Sequence, residues 1–212
     1  MGRRKTRTGA LRGELLAVAG GLLETGGTGA VTTRAVAAGA GTSLAAVNEL
    51  FGGKAGLVRA LFAEGFARLA ADLRALEPTG DPEADVLALA LAVRSFARRA
   101  PHLHEVMFSR PFAEFRPDAS DARAAEEIYA IVVGRVAAVL GPGRAPGTAK
   151  DAAIGLFATV QGLLALDASG LLAGTPASAD RRFRSTVTAT LRGLAATAAA
   201  SEIPRPPAEE AP

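Results

Sequence analysis

The chain has 212 residues, room for one large domain or two small ones, and a net charge of +3. It contains no Cys, which excludes disulfides, thiolate nucleophiles and Cys-ligated zinc and suits a reducing compartment. Hydrophobic residues make up 49% and aromatics 5%, so a core must be built from Leu, Val and Ala with a few Phe, a composition suited to closely packed helices. The charge is uneven: residues 1–60 carry eight basic and three acidic groups, and the rest 16 basic and 18 acidic. A basic front suggests that only this part meets a polyanion, unless it is merely a solvated tail. Met1–Thr8 is basic, but Arg12 and Glu14 interrupt the adjoining stretch, so no signal peptide is read. The longest uncharged apolar run, Ala152–Leu166, is broken by Gln161 and falls short of the ~18 residues a membrane span needs. The expectation is a soluble, cytoplasmic protein.

Apolar spacing is helical almost throughout. Leu11, Leu15, Leu16, Ala19, Leu22 and Leu23 make a stripe that Gly26-Gly27 stops. A second stripe, from Leu57 to Leu73, predicts a helix over about 54–76, ended near Pro78. Asp81-Pro82 pairs an N-cap residue with Pro at the first helical position, and the helix it opens should end before Pro101. A short helix over 102–108 comes next, then a proline-containing loop over 110–118. A helix over 120–140 is stopped by Gly141-Pro142-Gly143, and two long helices over 148–172 and 178–199 close the fold. The tail "EIPRPPAEEAP", within residues 201–212, is proline-rich and charged and is expected to be disordered. No stretch alternates with period two long enough to argue a sheet. The chain reads as all-α, with about nine helices.

Two glycine-rich stretches invite other readings. Gly39-Ala40-Gly41 lacks both a preceding strand and the third Gly of a dinucleotide-binding turn, since Leu44 stands there. Gly53-Lys54 lacks the rest of a phosphate-binding loop, having Asn48 and Ala55 at the required Gly and Ser/Thr positions. A helix-turn-helix explains the region better. Thr32-Thr33 can cap a short helix whose inward face is Val36, Ala37 and Ala40, and Gly41 suits a turn needing positive φ. Ser43 caps the next helix, Val47 faces inward, and Phe51 plugs the core. Helices this short must dock on the stripe from Leu11 to Leu23. The second would then present Leu44, Ala45, Ala46, Asn48 and Glu49 outward, a surface without catalytic groups that fits a DNA major groove.

With these residues placed, the span from about Arg12 to Leu61 resembles the DNA-binding domain of the TetR family of transcriptional regulators. Val31-Thr32-Thr33-Arg34, Val36-Ala37, Ala40-Gly41, Ser43, Val47, Phe51, Lys54 and Leu57 carry the match. Ala100-Pro101-His102-Leu103, Met107–Pro111 and Phe157–Gly162 resemble one subgroup of the family's ligand-binding domains, which usually has Trp and His where Phe157 and Gln161 stand. The family generally has Tyr at position 48 and His at 50, both donating to phosphates, where this chain has Asn48 and Leu50. Asn48 keeps a donor and could pair with adenine, and Glu49 could accept from a cytosine amino group.

The resemblance implies a homodimeric, ligand-responsive repressor of a palindromic operator. Its domains would be 1–53, a helix-turn-helix with a basic N-terminal arm, then 54–200, effector-binding and dimerising through the last two helices, then the tail 201–212. Candidate DNA contacts are Arg3, Arg4, Lys5, Thr33 (cap first, phosphate donor second), Ser43, Leu44, Ala45, Asn48, Glu49 and Lys54. Candidate pocket residues for an apolar effector are Phe96, Met107, Phe108, Phe112, Tyr129, Phe157 and Gln161, which could equally be plain core. His102 and His104 point about 200° apart on a helix and cannot share a metal. No catalytic residue, cofactor or metal site is expected. The alternative is a helical small-molecule-binding protein with a degenerate reading head, motivated by Asn48 and Leu50.

Overall fold

The structure is a computed structural model that describes residues 2–109, 112–171 and 174–200; the side chains of residues 2–7 and of residue 120 are outside the description. Among the described residues it contains nine α-helices and no strand: α1 (Gly2–Ala30), α2 (Thr33–Gly39), α3 (Leu44–Phe51), α4 (Lys54–Arg74), α5 (Pro82–Arg99), α6 (Pro101–Phe108), α7 (Ala119–Leu140), α8 (Thr148–Ser169) and α9 (Pro176–Ala200). The tail 201–212, expected to be disordered, lies outside the described residues. α1 begins nine residues before Leu11, where the apolar stripe starts, because helix propagates beyond a packed segment once that segment nucleates it. Its helical geometry breaks at Gly27 (φ 66°, ψ −168°), where the Gly26-Gly27 stop is expected.

The chain folds as two compact units, Met1–Ala75 with Ser95–Ile128, and Leu76–Arg94 with Tyr129–Pro212. In the first unit α1 packs on α2, α4 and α6, α2 on α3, α3 on α4, and α4 on α6. Its core is the predicted stripes: Leu15, Ala19 and Leu23 of α1, and Leu57, Leu61, Phe66, Leu69 and Leu73 of α4, are all buried. Phe62 and Phe66 meet at a tilt with ring centroids 4.8 Å apart, Phe62 meets Phe115 at 5.3 Å, and Phe66 meets Phe108 edge-on at 5.5 Å, distances at which aromatic pairs attract. Two close approaches need glycine. A Cβ at Gly65 would lie 2.6 Å from Met107 Sδ, so its absence lets α6 settle on α4. A Cβ at Gly56 would collide with the Phe51 carbonyl oxygen, so the α3–α4 joint closes only over glycine.

In the second unit, α8 lies along α9. Asp81 caps α5 as expected, its Oδ1 accepting from the N–H groups of Glu83 and Ala84 at 3.0 and 3.1 Å. One turn on, the buried Asp85 accepts from the Thr79 N–H (2.9 Å) and hydroxyl (2.8 Å) and from Arg135 Nη1 (3.0 Å). Arg135 Nη2 also donates to the Leu76 carbonyl at 2.8 Å, which ties the segment before α5 to α7. The buried Arg94 of α5 donates to Asp180 of α9 (3.1 Å) and Asp167 of α8 (3.3 Å), with its guanidinium 4.7 Å above the Phe183 ring. Periodicity alone gives no hint of these pairs. α8, at 22 residues, is longer than the apolar run read from the sequence, and by length and composition alone could cross a membrane. Ala152, Ala153, Leu156, Val160 and Leu164 are buried on one side of it.

Two outcomes are expected from this geometry. Gly56→Ala forces the α3–α4 joint apart, an overpacking cost of about 1–3 kcal/mol; a thermal midpoint equal to that of the unaltered protein would count against the close approach. The Thr79 N–H first, its hydroxyl next, and Arg135 hold the Asp85 carboxyl below its ordinary value of 3.8. A depressed folded-state pKa stabilises above the unfolded value and ceases to do so as pH falls through the folded one. Asp85→Asn should therefore lower the thermal midpoint at pH 7, with the gap to the unaltered protein closing in acid below pH 3.8; a gap unchanged with pH contradicts the assignment.

Candidate nucleic-acid interface

The reading head is assembled by caps. Thr32, not Thr33, caps α2: Thr32 Oγ1 accepts from the Ala35 N–H at 3.1 Å, and Thr33 is the first helical residue. The cap falls at the earlier of the two because Thr32 holds the extended backbone (φ −122°, ψ 149°) that an N-cap requires. Val36 and Ala37 are buried and Ala40 half-buried, so the predicted inward face holds at two of its three positions. The turn closes through Gly41 (φ 60°), with the Thr42 N–H donating to the Ala37 carbonyl at 2.9 Å. Ser43 then caps α3, its Oγ accepting from the Ala46 N–H at 3.1 Å. Gly52, left-handed at φ 72°, ends α3 with its N–H on the Asn48 carbonyl at 2.8 Å.

Val47 and Phe51 of α3 are buried, and the Arg12 guanidinium of α1 lies 5.1 Å from the Phe51 ring centroid. The opposite face brings together Leu44, which is 39% exposed, and the exposed Ala45, Asn48 and Glu49. Ala46, expected outward, is half-buried, since it lines the cleft between α3 and α1 with Leu11 and Glu14. Ser43 is exposed but its oxygen already serves α3. Leu50, Ala46 and Glu49 line a cleft of about 440 Å³ with Leu11 and Glu14 of α1. Thr8 and Ala10 complete the lining, so beside its apolar groups and two carboxylates the Thr8 hydroxyl is the side-chain donor it holds. The backbone of Arg3, Arg4 and Lys5 continues α1, while their side chains lie outside the described residues.

Lys54 opens α4, as expected, but is engaged within the protein. Its Nζ is 3.0 Å from Glu114 Oε1 and 5.4 Å from the Phe112 ring centroid. Arg59 repeats the arrangement: Nη1 lies 2.8 Å from Asp118 and 3.0 Å from Asp121, with the guanidinium 5.5 Å from Phe115. Phe112 and Phe115 are buried, so the segment 112–118 docks on α4 by two rings, each under a cation that also meets carboxylate. The backbone N–H of Glu114 first, and Lys54 second, hold the Glu114 carboxyl below the usual carboxylate range. Sequence reading misses Glu114, Asp118 and Asp121. The spacing of Phe112, Glu114, Phe115 and Asp118 is visible in the sequence, but their partners are about 60 residues away.

Of the pocket candidates, Phe96, Met107, Phe108 and Phe112 belong to the first compact unit and Tyr129, Phe157 and Gln161 to the second. Phe96, Met107 and Phe112 are buried, and Phe108 is half-buried against Phe66 and, at 4.8 Å, His104. Tyr129 is 40% exposed, while Phe157 and Gln161 are half-buried on α8. Among the described residues, the buried Gln161 Nε2 has no hydrogen-bond partner.

Comparison with known proteins bears on the whole arrangement. Residues 15–61 match the family model for bacterial regulatory proteins of the tetR family, and residues 86–190 that for the tetracyclin repressor-like C-terminal domain. Among solved structures, a protein of unknown function from Rhodococcus sp. RHA1 is 34% identical, with 87% of this chain and 95% of that one covered at a TM-score of 0.74. A TetR-family transcriptional regulator from Streptomyces coelicolor is 22% identical, with 87% and 99% covered and a TM-score of 0.63. A single-substitution variant of TetR from Acinetobacter baumannii AYE, in complex with minocycline, is 19% identical, with 88% and 97% covered and a TM-score of 0.63. Among curated proteins none matches the chain. A capped helix-turn-helix seated on α1 and α4, followed by five more helices that match the companion domain, leads to one conclusion: the chain belongs to the TetR family of transcriptional regulators.

Proposed function

We propose that this regulator is a ligand-responsive repressor that binds a palindromic operator as a homodimer and carries no enzymatic activity. The observation that supports this best is the outer face of α3, where Leu44, Ala45, Asn48 and Glu49 stand exposed while Val47 and Phe51 anchor the helix. A helix docked on one side and free on the other is the part that enters a major groove. Residues 1–53 are the reading head and 54–200 the effector and dimerisation part; the order of the two family-model matches, 15–61 and then 86–190, supports that division though not its boundary. A regulator that meets DNA in this way works in the cytoplasm. The DNA contacts are Ser43, Leu44, Ala45, Asn48, Glu49, Thr33 and Lys54, with Arg3, Arg4 and Lys5 on phosphates or in the minor groove. The effector is a small, largely apolar molecule, and its candidate contacts are Phe96, Met107, Phe108 and Phe112 within the first unit and Tyr129, Phe157 and Gln161 within the second. The minocycline complex of the Acinetobacter protein supports a small-molecule effector. An amide nitrogen without a partner on Gln161 supports a polar anchor.

Dimerisation through α8 and α9 is supported by the side of α8 that faces away from its buried residues. Ile154 is 56% exposed and Leu166 45%, with the exposed Ala158, Gly162 and Ala165 between them. Apolar and small side chains repeated along a helix face allow close approach of a second copy, and a two-fold axis matches an operator palindrome. A carboxylate buried there costs at least about 1–3 kcal/mol per subunit. Ile154→Glu with Leu166→Glu should thus turn a dimer into a monomer in analytical ultracentrifugation; a dimer that survives the double change places the interface elsewhere.

DNA binding is tested by gel shift against genomic fragments, with fluorescence anisotropy on any fragment retained. Binding should weaken with salt, log K falling by about 0.9 per phosphate contact, and Asn48→Ala should reduce affinity for the selected fragment. No fragment retained at low salt removes the repressor reading and leaves the helical small-molecule-binding protein.

A further inference from the structure

Lys54 has two claimants. It is a proposed phosphate contact, yet its ammonium sits 3.0 Å from Glu114 and over the Phe112 ring. The side chains of Lys54 and Glu114 are 35% and 48% exposed, so the pair is open to an incoming anion. The pair is also separable from the docking of its own segment. Phe112 and Phe115 are buried, and Asp118 and Asp121 hold Arg59 independently at 2.8 and 3.0 Å. A phosphate brought against Lys54 would come within a few ångströms of the Glu114 carboxylate, where two anions repel.

We infer that Glu114 is a positioning residue that competes with operator phosphate for the Lys54 ammonium, so that the segment 112–118 sets the affinity of the reading head. The inference rests on the DNA-binding reading above. In the free protein Glu114 holds Lys54 on the Phe112 ring. In the DNA complex Lys54 swings to phosphate and Glu114 is left to water. The segment 112–118 stays docked through its two rings and the Arg59 pairs. Glu114 thus keeps the free reading head from holding every stretch of DNA it meets, since the contact it withholds is the sequence-independent kind.

The experiment is a double-mutant cycle on the full chain, with fluorescence anisotropy on a selected operator fragment over a salt series. Glu114→Gln should tighten binding about two- to fivefold, the range expected for releasing an exposed ion pair. Lys54→Ala should weaken binding and lower the salt slope by about one. In the Lys54→Ala background, Glu114→Gln should change nothing. Circular dichroism melting checks that each variant is folded, which the exposure of both side chains favours. A gain from Glu114→Gln that persists without Lys54 reduces Glu114 to general repulsion and overturns the competition. So does operator binding indifferent to both single changes, for then Lys54 never leaves Glu114. Failure of the unaltered protein to bind any fragment is a different result, since it removes the DNA-binding reading itself.

Discussion

Helices of seven and eight residues do not hold their shape in water, because the cost of nucleating a helix is recovered only over longer runs. α2 and α3 exist here because Val31, Val36, Ala37, Val47 and Phe51 are buried where α1 and α4 meet them. Burial of side chains such as Val47 and Phe51 stabilises by about 1.5–3 kcal/mol each, which is what a short helix lacks. The same burial fixes which way α3 faces. With Val47 and Phe51 inward, residues 44, 45, 48 and 49 have no choice but to face out. The reading surface follows from the core rather than from its own chemistry.

The α3–α4 joint transmits that orientation. Gly52 and Gly53 take positive φ (72° and 98°), and Gly56 brings α4 against the Phe51 carbonyl with no room for a side chain. Three glycines in five residues make a tight corner, and a tight corner leaves α3 little freedom to tilt unless α4 moves with it. The N-terminal half of α4 is in turn held by the segment 112–118, through two rings each covered by a cation. Single exposed ion pairs contribute little. Here each cation also lies over the face of a buried ring, an attraction that gives the contact a defined position.

Much of the fold is legible because helix ends are marked locally. Ser43, Asp81-Pro82, Gly41 and Gly26-Gly27 act within three or four residues of themselves, and each stands where the structure starts, turns or breaks a helix. The apolar stripes likewise report burial directly, as Leu15, Leu23, Leu57 and Leu73 do. The cap on α2 is ambiguous in the sequence because Thr32 and Thr33 carry the same hydroxyl, and only backbone geometry tells them apart. Charge pairing across the chain stays hidden. Arg94 with Asp167 and Asp180, Lys54 with Glu114, and Arg59 with Asp118 join residues some 60 to 86 positions apart. An Arg in a helical stripe looks like a solvated face until tertiary packing buries it. Of the candidate contact residues, the α3 face is readable and the engagement of Lys54 is not.

The composition of that face decides where affinity has to come from. Leu44 and Ala45 can meet thymine methyls and Asn48 an adenine edge, but none of them neutralises a phosphate. Glu49 and Glu14 add negative charge beside it, and Leu50 replaces a donor with an aliphatic chain. In the proposed reading that face would discriminate bases, and the attraction to the backbone would fall to the N-terminal arm and Lys54. In the proposed homodimer, two heads would convert the second encounter into an intramolecular one, and the effective concentration gained would need no new contact. The weaker the individual head, the more operator occupancy depends on the two heads being held at the right separation. In the proposed homodimer the spacing of the heads is therefore, beside the grip of each, a quantity through which binding would be controlled.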